Sequence, residues 1–230
     1  MNQIDTTRHA SVFSAQLFGN RRVDVIGAGA TGSRIVLALA KLGIENIHVW
    51  DFDTVEEHNI ANQAYTLSDI GRAKVDALKD LVKRSTGLDI TTHSEKVDGT
   101  QELGEVVFLL TDTMASRKEI WQKGLRYKSR TKLMIETRMG VDEGRVYSIN
   151  PIKPAQVTGW ESTLYDDAAS ESSACGARIS VGPTAEIVSG TAVWQLMRWF
   201  GLQNGKTTGS LAHEVIFLLN PHTSLTRDFT

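Results

Sequence analysis

Three glycines and an aspartate are the first residues whose types and spacing indicate chemistry. Gly27, Gly29 and Gly32 follow the pattern G-x-G-x-x-G directly after the apolar segment Val23–Ile26. In such a loop the first glycine permits a tight turn, the second admits a phosphate, and the third lets the next helix pack closely. Asp51, about twenty residues further on, can accept hydrogen bonds from ribose hydroxyls. The group predicts a nucleotide-binding βαβ unit, and it fits NAD and ATP equally well.

The elements that must position this loop alternate between strand and helix. Apolar and alternating runs predict strands at 23–26, 47–50, 89–95, 106–110, 133–136, 145–149 and 215–219. Helical spacing of apolar residues predicts helices at 10–18, 30–42, 68–85, 114–127 and 184–200. This order predicts an α/β fold of the Rossmann-like, doubly wound type, with a mostly parallel sheet and helices on both faces.

Length and composition indicate one domain over residues 1–230, with a lead-in at 1–21 and a C-terminal tail at 205–230. The polar stretch 151–182 predicts a long, partly mobile crossover loop. A net charge of -2 argues against a nucleic-acid partner that is bound through overall charge. The lack of an 18-residue apolar run argues against a membrane-spanning helix. The first residues do not resemble a signal peptide, and one cysteine cannot form an intramolecular disulfide, so we expect a cytoplasmic location.

A second set of polar residues follows Asp51 in a specific order. The set comprises Asp53, Val55, Asn59, Gln63, Gly71 and Lys74, and it continues with Asp112 and Arg117 after the fourth predicted strand. In type and order the set resembles the ThiF/MoeB/HesA family of adenylating enzymes, which carries D-x-D-x-V, then S-N-L-x-R-Q, then G-x-x-K. That family includes the activating enzymes for ubiquitin-like proteins. The resemblance covers residues 20–200 and rests on the ordered set rather than on any single motif.

The resemblance implies a reaction in which a carboxylate attacks the α-phosphate of ATP and expels pyrophosphate. Charge then builds on phosphate oxygens, so the site needs hydrogen-bond donors, a cation and a metal ion. By resemblance Lys74 is the catalytic cation, Asn59 and Gln63 are amide donors, and Asp112 is the ligand of Mg²⁺. Each residue also has a structural alternative. Lys74 can be a surface lysine, Asn59 and Gln63 can brace a turn, Asp112 can cap a helix, and Arg117 can form an ion pair.

The chain departs from the family pattern at several positions. The implied nucleotide contacts include Asp53, Asn62 and Arg34, but Asn62 stands where the family usually has an arginine. An amide carries no charge, so stabilisation of the phosphates should weaken there, unless Arg34 or Arg8 substitutes. His58 replaces the usual serine and receives no role. The zinc-binding C-x-x-C pairs of the family are also missing from this sequence.

Cys175 raises the question of a covalent step. In relatives that form a thioester or persulfide, a cysteine in a comparable loop attacks the acyl-adenylate. Arg178 and a helix N-terminus can lower the pKa of this thiol, whereas the alternative is a small buried residue. Arg138 is a candidate guide for the carrier's C-terminal tail. By resemblance the partner is a small ubiquitin-like β-grasp protein ending in Gly-Gly, or a peptide, and the chain is a homodimer.

Two other functions remain open at this stage. An NAD(P)-dependent oxidoreductase fits the glycine loop, but no histidine lies convincingly in a substrate-facing element. A non-catalytic nucleotide-binding or assembly module of the same fold is favoured by the missing arginine. We expect an ATP- and Mg²⁺-dependent adenylyltransferase as the primary function. The identity of the carrier and of the final acceptor is not encoded in any motif of this chain.

Overall fold

Eight strands form one sheet in the part of the chain that the computed structural model describes, residues 4–167 and 181–230. Their order across the sheet is β3-β2-β1-β4-β5-β6-β7-β8. The strands are β1 (Val23–Ile26), β2 (Ile47–Trp50), β3 (Thr91–His93), β4 (Val106–Leu109), β5 (Leu133–Met139), β6 (Glu143–Ile149), β7 (Glu214–Leu219) and β8 (His222–Arg227). The first five strands run parallel, and the last three are antiparallel.

Helices cover both faces of the sheet, as predicted. They are α1 (Ala15–Phe18), α2 (Gly32–Lys41), α3 (Lys74–Thr86), α4 (Met114–Ile120), α5 (Pro154–Glu161) and α6 (Gly182–Gln203). One core holds the buried faces of α2, α3 and α6, and the other holds α4 and α5. Successive residues of a strand point to opposite faces, so Val25 packs into the first core and Ile26 into the second. The α/β fold with helices on both faces is therefore confirmed.

Glycines end the two helices that flank β2. Gly43 has a φ of +89° after α2, and Gly87 has a φ of +75° after α3, where its N–H donates to the carbonyl of Lys83. Residues with a side chain rarely adopt this left-handed conformation, which explains why the helices stop there. The structure thus confirms Gly43 as the stop signal of the first predicted helix.

The third helix begins later than its apolar spacing predicts. Residues 68–85 were expected to be helical, but α3 begins at Lys74. A separate 3₁₀ turn, Leu67–Asp69, has its own capping box, and Gly71 then adopts a φ of +85°. The chain next runs extended, so that Ala73 pairs with Thr54. This local hydrogen bonding overrides the helical period, and it brings Lys74 to the first position of α3.

The C-terminal half differs from the expected alternation of strand and helix. The connection from β5 to β6 is too short for a parallel crossover, so the two strands form an antiparallel hairpin. Helix α5 lies within 151–182, which was predicted to be a loop; Pro154 begins it and Trp160 buries its inner face. Strand β8, in the predicted tail, was not expected at all. Cys175 and Arg178 lie outside the described residues.

Two expectations concern membranes and metals. In residues 4–167 and 181–230, no helix is long and apolar enough to cross a bilayer. Within the same ranges, no group of three or more histidine, cysteine, aspartate or glutamate side chains is arranged to hold a metal ion. The metal prediction from the sequence involves a single carboxylate, that of Asp112.

Candidate functional site

The glycine loop joins β1 to α2 at the carboxyl edge of the parallel strands. Gly27 has a φ of +102°, and a Cβ atom there would lie 2.7 Å from the carbonyl oxygen of Leu110. A Cβ atom on Gly32 would overlap the carbonyl oxygen of Gly27, so this glycine is needed for close packing of α2. A Cβ atom on Gly29 would meet no atom within 4 Å. The turn and packing glycines are thus fixed by the fold, whereas Gly29 faces open space.

Asp51 follows β2 and braces the glycine loop. Its Oδ2 accepts a hydrogen bond from the backbone N–H of Ala28 at 2.7 Å, and its Oδ1 accepts one from that of Asp53 at 2.9 Å. Burial raises the pKa of the Asp51 carboxyl, while the charge of Lys74 and the two backbone amides act in the opposite direction. Each carboxylate oxygen has a second lone pair, so Asp51 can still accept a bond from a ligand hydroxyl.

An apolar cavity of about 250 Å³ lies above the glycine loop. Its apolar lining includes Ile26, Trp50, Val97 and Leu110. The Trp50 ring is stacked on His93 with ring centroids 3.6 Å apart, which fixes its orientation. Apolar side chains beside a buried carboxylate suit an aromatic base attached to a sugar.

A polar cavity of about 490 Å³ adjoins the apolar one. Five residues line both cavities: Gly29, Asp53, Lys74, Leu110 and Asp112. The polar cavity is also lined by His58, Asn59, Asn62, Gln63 and Arg117. The structure therefore brings together most of the residues that the sequence predicts for the site. Together the cavities have the size and the mixed lining of a small-molecule site.

Lys74 lies at the junction of the two cavities. Its side chain is 9% exposed, and its Nζ contacts Asp53 Oδ2 at 2.8 Å. The surface-lysine alternative is therefore wrong for this residue. A buried ammonium held by one half-exposed carboxylate keeps two further N–H donors for an anion that enters the cavities.

The three amide side chains come from the segment after β2, which folds as a 3₁₀ turn over Glu57–Asn59. Asn59 is buried, and its Oδ1 accepts a hydrogen bond from the backbone N–H of Glu56, so it does brace a turn. That bond orients the Asn59 side chain on the wall of the polar cavity. Gln63 Oε1 is buried without a hydrogen-bond partner in the described part of the chain. Asn62 lines the cavity next to it.

Asp112 follows β4 and is exposed at the junction of the cavities. The helix that follows is capped by Thr113, whose side chain accepts a hydrogen bond from the backbone N–H of Ser116. The N-cap alternative for Asp112 is therefore wrong. A solvent-accessible carboxylate next to a phosphate-sized polar space is the donor that Mg²⁺ takes in nucleotide sites, so the residues present fit this ion.

The predicted substitutes for the missing arginine, Arg34 and Arg8, line neither cavity. Arg34 donates to the carbonyl oxygens of Ala30 and Asn62 and forms an ion pair with Glu186 at 2.6 Å. Arg34 borders a separate groove that is also lined by Leu37 and Lys41 of α2. Arg8 is exposed in the N-terminal segment. A direct contact between either residue and a nucleotide stays a prediction.

Glu136, in the middle of β5, is a site residue that the sequence did not reveal. It is fully buried and contacts the guanidinium groups of Arg117 and Arg138. Arg117 therefore does form an ion pair, and it also lines the polar cavity. Arg138 is anchored to the backbone carbonyl of Thr163 and does not line either cavity. The only sequence signal was an acidic residue at the end of the predicted apolar strand 133–136.

Comparison with known proteins agrees with this geometry. A model of the ThiF family matches residues 8–227. The probable adenylyltransferase/sulfurtransferase MoeZ of Mycobacterium tuberculosis is 41% identical over 64 residues, which cover 27% of this chain and 16% of MoeZ. The NEDD8-activating enzyme E1 catalytic subunit of Arabidopsis thaliana is 30% identical over 105 residues, which cover 43% of this chain and 23% of that protein. The chain thus spans less than a quarter of either relative.

Solved structures extend the similarity over the whole fold. E. coli MccB, solved with ATP, superimposes with a TM-score of 0.71 at 14% identity. The superposition covers 96% of this chain and 66% of the MccB chain. PaaA superimposes with a TM-score of 0.67 at 20% identity. At this identity the superpositions show the fold alone. Because the family model spans nearly all of the sequence, the chain belongs to the ThiF family.

Proposed function

We propose that this protein is an ATP- and Mg²⁺-dependent adenylyltransferase that activates the C-terminal carboxylate of a small ubiquitin-like carrier protein or peptide. The observation that carries the proposal is the pair of joined cavities beside Gly29, with Lys74, Asp53 and Asp112 at their junction. The relatives MoeZ and the NEDD8-activating subunit support it, because both are named for adenylation or carrier activation. As part of the proposal, the protein acts as a homodimer in the cytoplasm.

In this reaction the adenine enters the apolar cavity and the ribose hydroxyls bind Asp51. The phosphates pass over Gly29 into the polar cavity, where its bare backbone permits a close approach. A carboxylate oxygen of the carrier bonds to the α-phosphorus, the bond from that phosphorus to the bridging oxygen breaks, and pyrophosphate leaves. Lys74 and Arg117 offer positive charge to the oxygens on which negative charge develops, and Asn59 and Gln63 are amide donors on the same wall.

The metal and the thiol have separate places in the proposal. Asp112 would hold Mg²⁺, which when bound neutralises charge on the phosphates and the leaving pyrophosphate. Cys175 is the proposed nucleophile of a later step, in which a thioester forms and AMP leaves. Arg138 is held by Glu136 and Thr163, so guidance of the carrier tail would require it to act from that fixed position.

The proposal is tested by pyrophosphate exchange. Labelled pyrophosphate should enter ATP when a small protein or peptide encoded next to this gene is added, and not when its last residue has been removed. Lys74→Met should strongly slow the exchange, whereas Cys175→Ser should preserve it while removing any thiol-sensitive adduct. Binding of ATP without exchange by any such partner would favour the non-catalytic module. Binding of NAD in place of ATP would contradict the proposal.

A further inference from the structure

A buried carboxylate lies directly behind the wall of the polar cavity. Glu136 is 0% exposed, and it accepts hydrogen bonds from Arg117 Nη1, from Arg138 Nε at 3.0 Å and Nη2 at 2.9 Å, and from Trp160 Nε1 at 3.1 Å. Both carboxylate oxygens therefore have donors. A buried carboxylate is tolerated only when it is paired in this way, so the arrangement depends on all of its members.

The two arginines of this cluster are held differently. The remaining nitrogen of Arg138, Nη1, donates to the carbonyl oxygen of Thr163 at 2.6 Å, and Nη2 also donates to Thr163 Oγ1 at 3.0 Å. The guanidinium contacts the rings of Tyr147 and Tyr165. Burial alone would lower the pKa of the Arg138 guanidinium, but the charge of Glu136 raises it overall. All three guanidinium nitrogens of Arg138 therefore donate to groups inside the fold, and none faces the cavities.

Arg117 is held by fewer contacts, and one side of it reaches the cavity. Its Nε donates to the carbonyl of Thr111 at 2.8 Å, and its Nη1 donates to Glu136. The side chain is 10% exposed and lines the polar cavity. Two arginines and one glutamate leave the cluster with one excess positive charge, and only Arg117 presents charge to the cavity.

We propose that Glu136 is a positioning residue, which acts through Arg117 to hold a cation against the phosphate groups in the polar cavity. The inference rests on the proposed function, because it takes the bound anion to be the phosphate chain of ATP. It also names a source of positive charge in a cavity where Asn62 supplies none. Glu136 itself does not line either cavity, so it touches neither substrate nor reacting atoms.

The direction in which one substitution changes ATP–Mg²⁺ affinity distinguishes a positioning role of Glu136 from an effect of its charge alone. Glu136→Gln keeps the shape and removes the negative charge, so the cluster gains positive charge overall. If charge alone mattered, this variant would bind ATP–Mg²⁺ more tightly than the wild type. If Glu136 orients Arg117, the variant loses a charge-assisted hydrogen bond and the dissociation constant for ATP–Mg²⁺ rises about tenfold.

The experiment is a calorimetric titration with ATP–Mg²⁺ of the wild type, Glu136→Gln, Glu136→Asp and Trp160→Phe. We expect Glu136→Asp to bind between the wild type and Glu136→Gln, because it keeps the charge on a shorter side chain. Trp160→Phe is the matched control: it removes one hydrogen bond to the same carboxylate but neither arginine, and it should bind ATP within twofold of the wild type. Unchanged or tighter binding by Glu136→Gln would overturn the inference.

A second readout keeps the inference separate from the proposed function. Modification of arginines by phenylglyoxal, followed by mass spectrometry, reports whether Arg117 is held, with or without a nucleotide. We expect Arg117 to react at least several times faster in Glu136→Gln than in the wild type or Trp160→Phe. Equal reactivity would overturn the positioning role even if ATP binds. A wild type that binds no ATP but shows this difference would refute the proposed function and retain the positioning of Arg117.

Discussion

Gly29 offers a sharp test of the site, because the fold does not require it. A Cβ atom at this position would meet no other atom within 4 Å, and its φ lies outside the left-handed region. Gly29→Ala should therefore leave the folded state intact, and the stiffer unfolded chain should stabilise the protein by about 0.4–1 kcal/mol. The same methyl group would stand where the phosphates of ATP must approach the backbone.

The expected loss of affinity follows from the hydrogen bonds that the methyl group prevents. One charge-assisted bond between a backbone N–H and a phosphate contributes about 1.5–3 kcal/mol. Its loss raises the dissociation constant for ATP–Mg²⁺ by roughly 10- to 150-fold. Stability is measured by urea unfolding and affinity by calorimetry on the same preparation.

Two other glycines serve as controls. Gly190 in α6 is equally open but lies away from both cavities, so Gly190→Ala should stabilise the helix by about 1 kcal/mol and leave ATP binding unchanged. Gly32→Ala places its Cβ atom against the carbonyl of Gly27 and should destabilise the fold by about 1–3 kcal/mol or more. A Gly29→Ala variant that folds and binds ATP like the wild type would refute the assignment of the phosphate path.

Three further predictions follow from the same structure. Lys74→Met should lower the rate of pyrophosphate exchange by roughly 10²–10³-fold. The loss of stability should be small, because the half-exposed carboxylate of Asp53 is hydrated by water once the lysine is gone. An unchanged exchange rate would remove Lys74 from the mechanism. Asp112→Asn should abolish the dependence of ATP binding on Mg²⁺, measured by titration with and without the ion. Burial and then the nearby arginine lower the pKa values of His48 and His93, whose rings contact each other, below the ordinary 6.5. The neutral pair therefore stabilises the fold above pH 6.5, and this contribution should disappear as the pH falls through the lowered values. Urea unfolding of His93→Gln should show a smaller loss, because only His48 then contributes, and a loss equal to that of the wild type would contradict the prediction.

The parallel half of the fold could be predicted because its signals are local. The strands from Val23 and Ile47 are short apolar runs, and Gly43 ends the helix between them. Leu110, at the end of another such run, meets the glycine loop because carboxyl ends of parallel strands share one edge. The residues that line the cavities could be predicted for the same reason, since most of them directly follow a strand.

The rest depended on contacts that no local pattern contains. Helix α5 was overlooked although Pro154 at its first turn is a typical start signal. Strand β8 is largely polar, so its composition does not predict a strand. It forms because it pairs with β7 along its whole length. Glu136 could not be identified because its partner Arg117 lies 19 residues earlier and its role requires knowing that both face the second core. The ion pair between Arg34 and Glu186 could not be predicted either, because the two residues lie 152 positions apart in the sequence.

The central claim is that the joined cavities bind ATP for transfer of its adenylyl group. The most direct measurement is the shift of the unfolding temperature of the wild-type protein with ATP–Mg²⁺, with ATP alone and with NAD. We predict a clear upward shift with ATP–Mg²⁺, a smaller one without the metal, and none with NAD. Stabilisation by NAD and none by ATP–Mg²⁺ would contradict the account.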